Sequence, residues 1–277
     1  MNGQPKPDPR SGPGSDLRSG TQPAQSHPQH LRPDPQRESC PAPAPNPLLE
    51  GLRGRLIVSC QAYPGEPLRD PEAMRRMSLA VLDGGAAAIR AQGLDDLRAI
   101  RSATSVPLIG LWKDGDSGVY ITPTARHAVA VAETGADIVA LDATARPRPD
   151  GREVAESIEA VHRAGRLVMA DVSTWEEGVR AAELGADLVG TTLSGYTGHS
   201  PRPDGPDLPL VGRLAAELTV PVIAEGRIHT PDQAARALAA GAHAVVVGTA
   251  ITHPTTLTRW FTEAITAPPQ APRTPGR

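Results

Sequence analysis

Two kinds of apolar spacing alternate between residues 50 and 265. Runs such as "RLIVSC" (55–60), "PLIGLW" (107–112), "RLVMAD" (166–171) and "PVIAEG" (221–226) are apolar at consecutive positions. They are too short for helices and fit strands buried on both faces. A second set lies in a recurring pattern: "DGGAAAIRA" at 83, "ETGADIVALD" at 133, "ELGADLVGTT" at 183 and "AAGAHAVVVG" at 239. Its glycines, at 85, 135, 185 and 241, are 50, 50 and 56 residues apart. Each ends an Ala-rich stretch and precedes a β-branched run, the order of helix, terminator and strand. Amphipathic stretches such as 153–164 and 232–240 fill the gaps. The two sets together predict eight strands alternating with helices, a single (β/α)₈ TIM barrel of the α/β class. A doubly wound open sheet is the second choice. It would call for a Gly-rich dinucleotide loop, and no GxGxxG or Walker sequence is present.

Composition marks where the pattern stops. Residues 1–48 hold twelve of the 30 prolines and no Val, Ile or aromatic residue. Such a stretch buries too little apolar surface to offset its ordering entropy, so it is expected to be a disordered extension. "TAPPQAPRTPGR" (266–277) reads in the same way, which leaves 49–265 for the barrel. The net charge of −3, without a basic run, gives no footprint for nucleic acid. No apolar stretch is long enough for a membrane span, and the N-terminus lacks the apolar core of a secretory signal. Cys40 and Cys60 make no disulfide framework, and a reduced, cytoplasmic setting is expected.

In such a barrel the chemistry belongs at the C-terminal ends of the strands. Those ends carry Gln61, Arg90, Lys113, Asp142, Asp171, Thr191 with Thr192, Glu225 with Arg227, and Gly248 with Thr249. Tyr63, Tyr120 and Tyr196 lie in the loops after strands 1, 3 and 6. Lys113 stands out. Apart from Lys6 in the N-terminal stretch, every other basic residue among the 28 Lys and Arg is arginine. An ammonium releases its proton far more readily than a guanidinium, so a lone lysine suits proton transfer. Strands 3 and 7 are opposite in a ring of eight, so Lys113 and Glu225 address a small site from two sides. That placement suits removal and return of a proton beside a carbonyl; the alternative is a buried ion pair that only holds the barrel mouth.

The turns after strands 7 and 8, with Gly226, Arg227, Gly248, Thr249 and nearby His253, suit phosphate binding through backbone N–H groups. Ordinary loop glycines are the other reading. Thr230 and Pro231 form a helix start, and Ser173 with Glu176 forms a capping box. Asp171 either positions a hydroxyl or holds Arg90, a residue whose burial demands an anion. Asp142 either functions in the site or anchors its loop, and Gln61 either binds substrate or caps its loop. No metal site is expected, because no strand body holds a histidine; His127, His162, His229 and His243 fall in helices or helix starts. Trp260 and Phe261, on the last helix, are expected in the core, with a dimer contact as the alternative.

The segments "LIVSCQA", "GGAAAIRAQG", "YITPT", "LDAT", "ADVST", "GTTLSGYT", "AEGRIHTP" and "VVGTAIT" resemble the bacterial N-acetylmannosamine-6-phosphate 2-epimerases over about residues 50–263. The resemblance implies interconversion of N-acetylmannosamine 6-phosphate and N-acetylglucosamine 6-phosphate in sialic acid breakdown. It also implies transfer of the C2 proton without a redox cofactor, and a homodimer. By resemblance, Lys113 and Glu225 are the catalytic pair, and Gln61, Arg90 and Asp171 contact the sugar or its phosphate. Two departures stand out. His253 occupies a position where the family usually has arginine, and "DGDSG" after Lys113 is shorter than usual and lacks a basic residue. They leave room for a related sugar phosphate, or for a barrel that binds a phosphosugar as a sensor with little catalysis.

Overall fold

A computed structural model describes residues 46–266. Eight parallel strands close into a barrel in chain order: β1 (Leu56–Cys60), β2 (Ala88–Gln92), β3 (Leu108–Leu111), β4 (Ile138–Asp142), β5 (Leu167–Asp171), β6 (Leu188–Gly190), β7 (Val222–Glu225) and β8 (Ala244–Val247). The ring is shut by β1 against β8, with Leu56 level with Val245 and Val58 with Val247. The described residues also form ten helices: α1 (Pro47–Glu50), α2 (Pro71–Asp83), α3 (Leu94–Ala103), α4 (Ala125–Glu133), α5 (Val154–Arg163), α6 (Trp175–Glu183), α7 (Leu208–Glu217), α8 (Pro231–Ala239), α9 (Thr249–Thr252) and α10 (Pro254–Thr266). The TIM barrel expected from the alternating pattern is therefore present, and the open sheet is not.

The strands read as apolar on both faces because each face has its own core. Ile57, Ile109, Ile138, Met169, Leu188 and Ile223 fill the barrel interior, while neighbours such as Val58, Ile89, Val139 and Val168 pack outward against the helices. The recurrent glycines act where the spacing puts them. Gly85, Gly135, Gly185 and Gly241 have φ of +97°, +90°, +96° and +106°, left-handed values that glycine adopts without a Cβ penalty. At three of them the next N–H reaches back to the last helical turn: Ala86 to Val81 O, Ala186 to Ala181 O and Ala242 to Ala237 O.

Four expectations change. The stretch expected to be unfolded ends earlier than residue 48, since α1 begins at Pro47 with Asn46 accepting from the Leu48 N–H. Leu49 and Leu52 of this segment pack under the barrel interior, and Leu49 O accepts from His243 Nε2 at 2.7 Å. His243 accordingly lies in the turn before β8, not in a helix. Residues 1–45 and 267–277 lie outside the described residues, and so do the expectations made for them. The capping box of α6 is Thr174 with Glu177, one residue beyond Ser173 with Glu176; Ser173 donates from its N–H and its hydroxyl to Glu177 Oε2. Finally, Trp260 and Phe261 are not core: they are 36% and 71% exposed, and α10 buries none of its residues.

Candidate active site

One cavity opens at the C-terminal ends of the strands, lined among others by Gln61, Arg90, Lys113, Glu225, Gly248 and His253. Lys113 follows β3, where a short hairpin sets its direction. It bridges Ile121, Asp114 N–H donates to Tyr120 O and Thr122 N–H to Trp112 O. Thr122 takes a left-handed φ of +46° and is locked by its hydroxyl, which donates to Ala140 O at 2.6 Å. Beneath the hairpin His127 bridges Thr124 Oγ1 at 2.7 Å and Asp114 Oδ2 at 2.9 Å. The "DGDSG" loop thus aims its lysine by backbone pairing. Lys113 Nζ lies 5.3 Å from the centre of the Tyr63 ring.

Opposite, Glu225 ends β7. Its carboxylate meets Arg90 Nε at 3.3 Å and accepts from Thr192 Oγ1 at 3.1 Å. Arg90 is only 1% exposed and forms a two-pronged pair with Asp171, Nη2 to Oδ2 at 2.7 Å and Nη1 to Oδ1 at 3.2 Å. Asp171 is fully buried and lies behind the cavity wall, where it also accepts from Thr192 Oγ1 at 2.6 Å. A buried guanidinium is tolerated only with such partners. Both contacts open for Asp171 are present: it holds Arg90, and it fixes a hydroxyl, that of Thr192.

Burial and this charge cluster act oppositely on the facing pair. Burial is the main reason the Lys113 ammonium is pushed down to about 8; Arg90 adds to the push, and Glu225 and Asp171 oppose it. Burial likewise raises the Glu225 carboxyl to about 7; Arg90 opposes this, Asp171 adds to it, and Thr192 and Lys113 oppose it. Near neutral pH, therefore, one group can accept a proton while the other gives one.

The remaining wall is backbone. Gly226 has φ +107°, and among the described residues the N–H groups of Gly226, Arg227, Gly248 and Thr249 donate to no backbone carbonyl. All four residues line the cavity. Thr230 caps α8 with Pro231 in the first turn, as the sequence predicts. His253 also lines the cavity, but both ring nitrogens are engaged. Nδ1 accepts from the Thr256 N–H, which leaves Nε2 to donate to Glu66, 2.8 Å from Oε1 and 3.0 Å from Oε2. Gln61 donates from Nε2 to Ser59 Oγ at 2.8 Å. Asp142 is an anchor: it accepts from Thr144 and from Arg146 Nη2 at 2.6 Å. Sequence reasoning placed Thr192 at a strand end but gave it no role; the signal was there, two adjacent hydroxyls after β6.

The profile of the N-acetylmannosamine-6-phosphate epimerase family matches residues 74–267. A Cutibacterium acnes protein named N-acetylmannosamine-6-phosphate 2-epimerase is 58% identical over 221 residues, covering 79% of this chain and 96% of its own. The chain belongs to this family. A Caldanaerobacter subterraneus member of the same name is 51% identical over 218 residues, 77% of this chain and 92% of that one. The solved structure of the Clostridium perfringens N-acetylmannosamine-6-phosphate 2-epimerase superposes with a TM-score of 0.76 at 46% identity, covering 78% of this chain and 96% of that chain. A Pyrococcus furiosus thiamine phosphate pyrophosphorylase, 21% identical with a TM-score of 0.52, shares the fold alone.

Proposed function

We propose that the chain interconverts N-acetylmannosamine 6-phosphate and N-acetylglucosamine 6-phosphate, with Lys113 and Glu225 removing and returning the C2 proton. The observation that carries this is the pair itself: a lysine near 8 and a glutamate near 7 face one cavity from β3 and β7. Ring opening exposes the C1 aldehyde, which acidifies the C2–H. One member of the pair takes the proton, and nearby donors hold the enolate oxygen. The other member returns a proton from the opposite face, which inverts C2. The free N–H groups of Gly226, Arg227, Gly248 and Thr249 are suited to the 6-phosphate. The test is proton NMR of the purified protein with N-acetylmannosamine 6-phosphate in D₂O and chelator. Conversion to the gluco epimer with deuterium at C2 is expected; no conversion and no exchange would refute the assignment.

No described helix is long and apolar enough to cross a membrane. A homodimer is the assembly proposed, on the ground of α10. This helix buries none of its residues and exposes Phe261 and Ile265, 71% and 81%. A contiguous apolar face of that kind calls for a partner.

A further inference from the structure

The position of Arg227, two residues after Glu225 at the cavity, invites its assignment to the substrate phosphate. Its contacts speak otherwise. Nε donates to Gly205 O at 2.9 Å and Nη1 to Ser194 O at 2.5 Å, and Nη2 is buried without a partner. The two bonded donors hold the opposite ends of the loop between β6 and α7, and the third is buried. The backbone of Arg227 takes φ +53°, a conformation that persists in a non-glycine residue only where its surroundings impose it.

The loop is built around that guanidinium. Gly195 has φ +76°, and a Cβ there would sit 2.7 Å from Arg227 Nη1 and 3.1 Å from Cζ. The Tyr196 ring, next along, lies 5.4 Å from Arg227 Cζ and 5.7 Å from Arg202 Cζ, a cation–π arrangement. Tyr196 lines the cavity, half-exposed at its mouth. Within the loop Gly195 N–H donates to Ser200 Oγ, and Thr197 Oγ1 ties it back to Ser173 Oγ. Two ties join its ends: Ser194 Oγ donates to Asp207 Oδ2 at 2.6 Å, and Arg227 bridges Ser194 O and Gly205 O.

We propose that the Arg227 side chain is a positioning group, which together with the Ser194–Asp207 bond closes the 194–205 loop and stands Tyr196 at the mouth of the cavity; toward the substrate phosphate the residue offers its backbone N–H and not its guanidinium. The turn that follows Glu225 thereby also fixes the neighbouring rim of the pocket, after β6. The proposal rests on the phosphosugar reading only for the ligand it excludes; the loop geometry stands without it.

The test uses the full-length protein without substrate, as wild type, Arg227→Gln, Arg227→Lys and Gly195→Ala. Hydrogen exchange of peptides spanning 193–207 reports loop closure, and titration calorimetry with inorganic phosphate reports the anion site. Loop exchange is expected to rise about ten-fold or more in Arg227→Gln and Gly195→Ala and less in Arg227→Lys, while phosphate affinity stays within about three-fold. Loop exchange in Arg227→Gln equal to wild type overturns the proposal. So does a larger loss of phosphate affinity in Arg227→Gln, which would make the residue a ligand. If the wild-type protein binds no phosphate and turns over no phosphosugar, the functional reading fails, and loop exchange alone decides the role of Arg227.

Discussion

Lys113 and Glu225 start from ordinary values of 10.5 and 4.5 and reach about 8 and about 7. A single cause, removal from water, drives both, because burial penalises an ammonium and a carboxylate alike. Arg90 adds the asymmetry: it repels the lysine's charge and attracts the glutamate's. The direction of the pH response follows. Between the two values the pair holds one proton, with Glu225 ionised and Lys113 charged in the dominant form. Below about 7 the carboxylate gains a proton, and above about 8 the ammonium loses one. A bell-shaped kcat/KM profile with its maximum between the limbs is expected whichever member takes the first proton, since both assignments contain the same number of protons. Thr192 tunes one limb. Its hydroxyl bond favours the ionised form of Glu225, so Thr192→Val should shift the acid limb to higher pH and leave the alkaline limb in place. Steady-state rates from pH 5 to 10 check both expectations.

At the scale of elements, the site depends on how closely helices approach the strands that carry it. Gly110 in β3 lies three residues before Lys113, and a Cβ there would come within 2.8 Å of Val131 Cγ1, 2.9 Å of Ala136 Cβ and 3.1 Å of Leu97 Cδ1. All three neighbours are fully buried. Gly110→Ala is expected to cost about 1–3 kcal/mol by overpacking, read as a lower urea midpoint at unchanged slope. Such strands were legible in the sequence because burial on both faces makes them continuously apolar, and a polar residue ending each run marks the functional face. Lys113, Glu225 and Arg90 were found in that way. What the pattern leaves out is contact through space. The Glu66 partner that engages His253 is 187 residues away, and the Ser194 and Gly205 carbonyls that occupy Arg227 are 33 and 22 residues away. From sequence, a position at the mouth of the barrel reads as a ligand; such distant partners, which the proposed role of Arg227 rests on, are not visible there.

For the molecule as a whole, the last helix carries the largest departure from expectation. Aromatic residues on a helix read as core, yet Trp260 packs edge-on against His229, their ring centres 4.7 Å apart, and Phe261 faces solvent. The proposed homodimer turns this into an expected mass: sedimentation equilibrium should give twice 29.0 kDa, and Phe261→Asp should shift the species toward the monomer. A wild-type monomer at micromolar concentration would contradict the dimer. The most direct test of the catalytic pair is proton NMR in D₂O of Lys113→Ala and Glu225→Gln beside the wild type, with N-acetylmannosamine 6-phosphate. The account predicts that conversion falls about 10²–10⁴-fold in each variant while each keeps a cooperative thermal transition; conversion at the wild-type rate by either folded variant would contradict it.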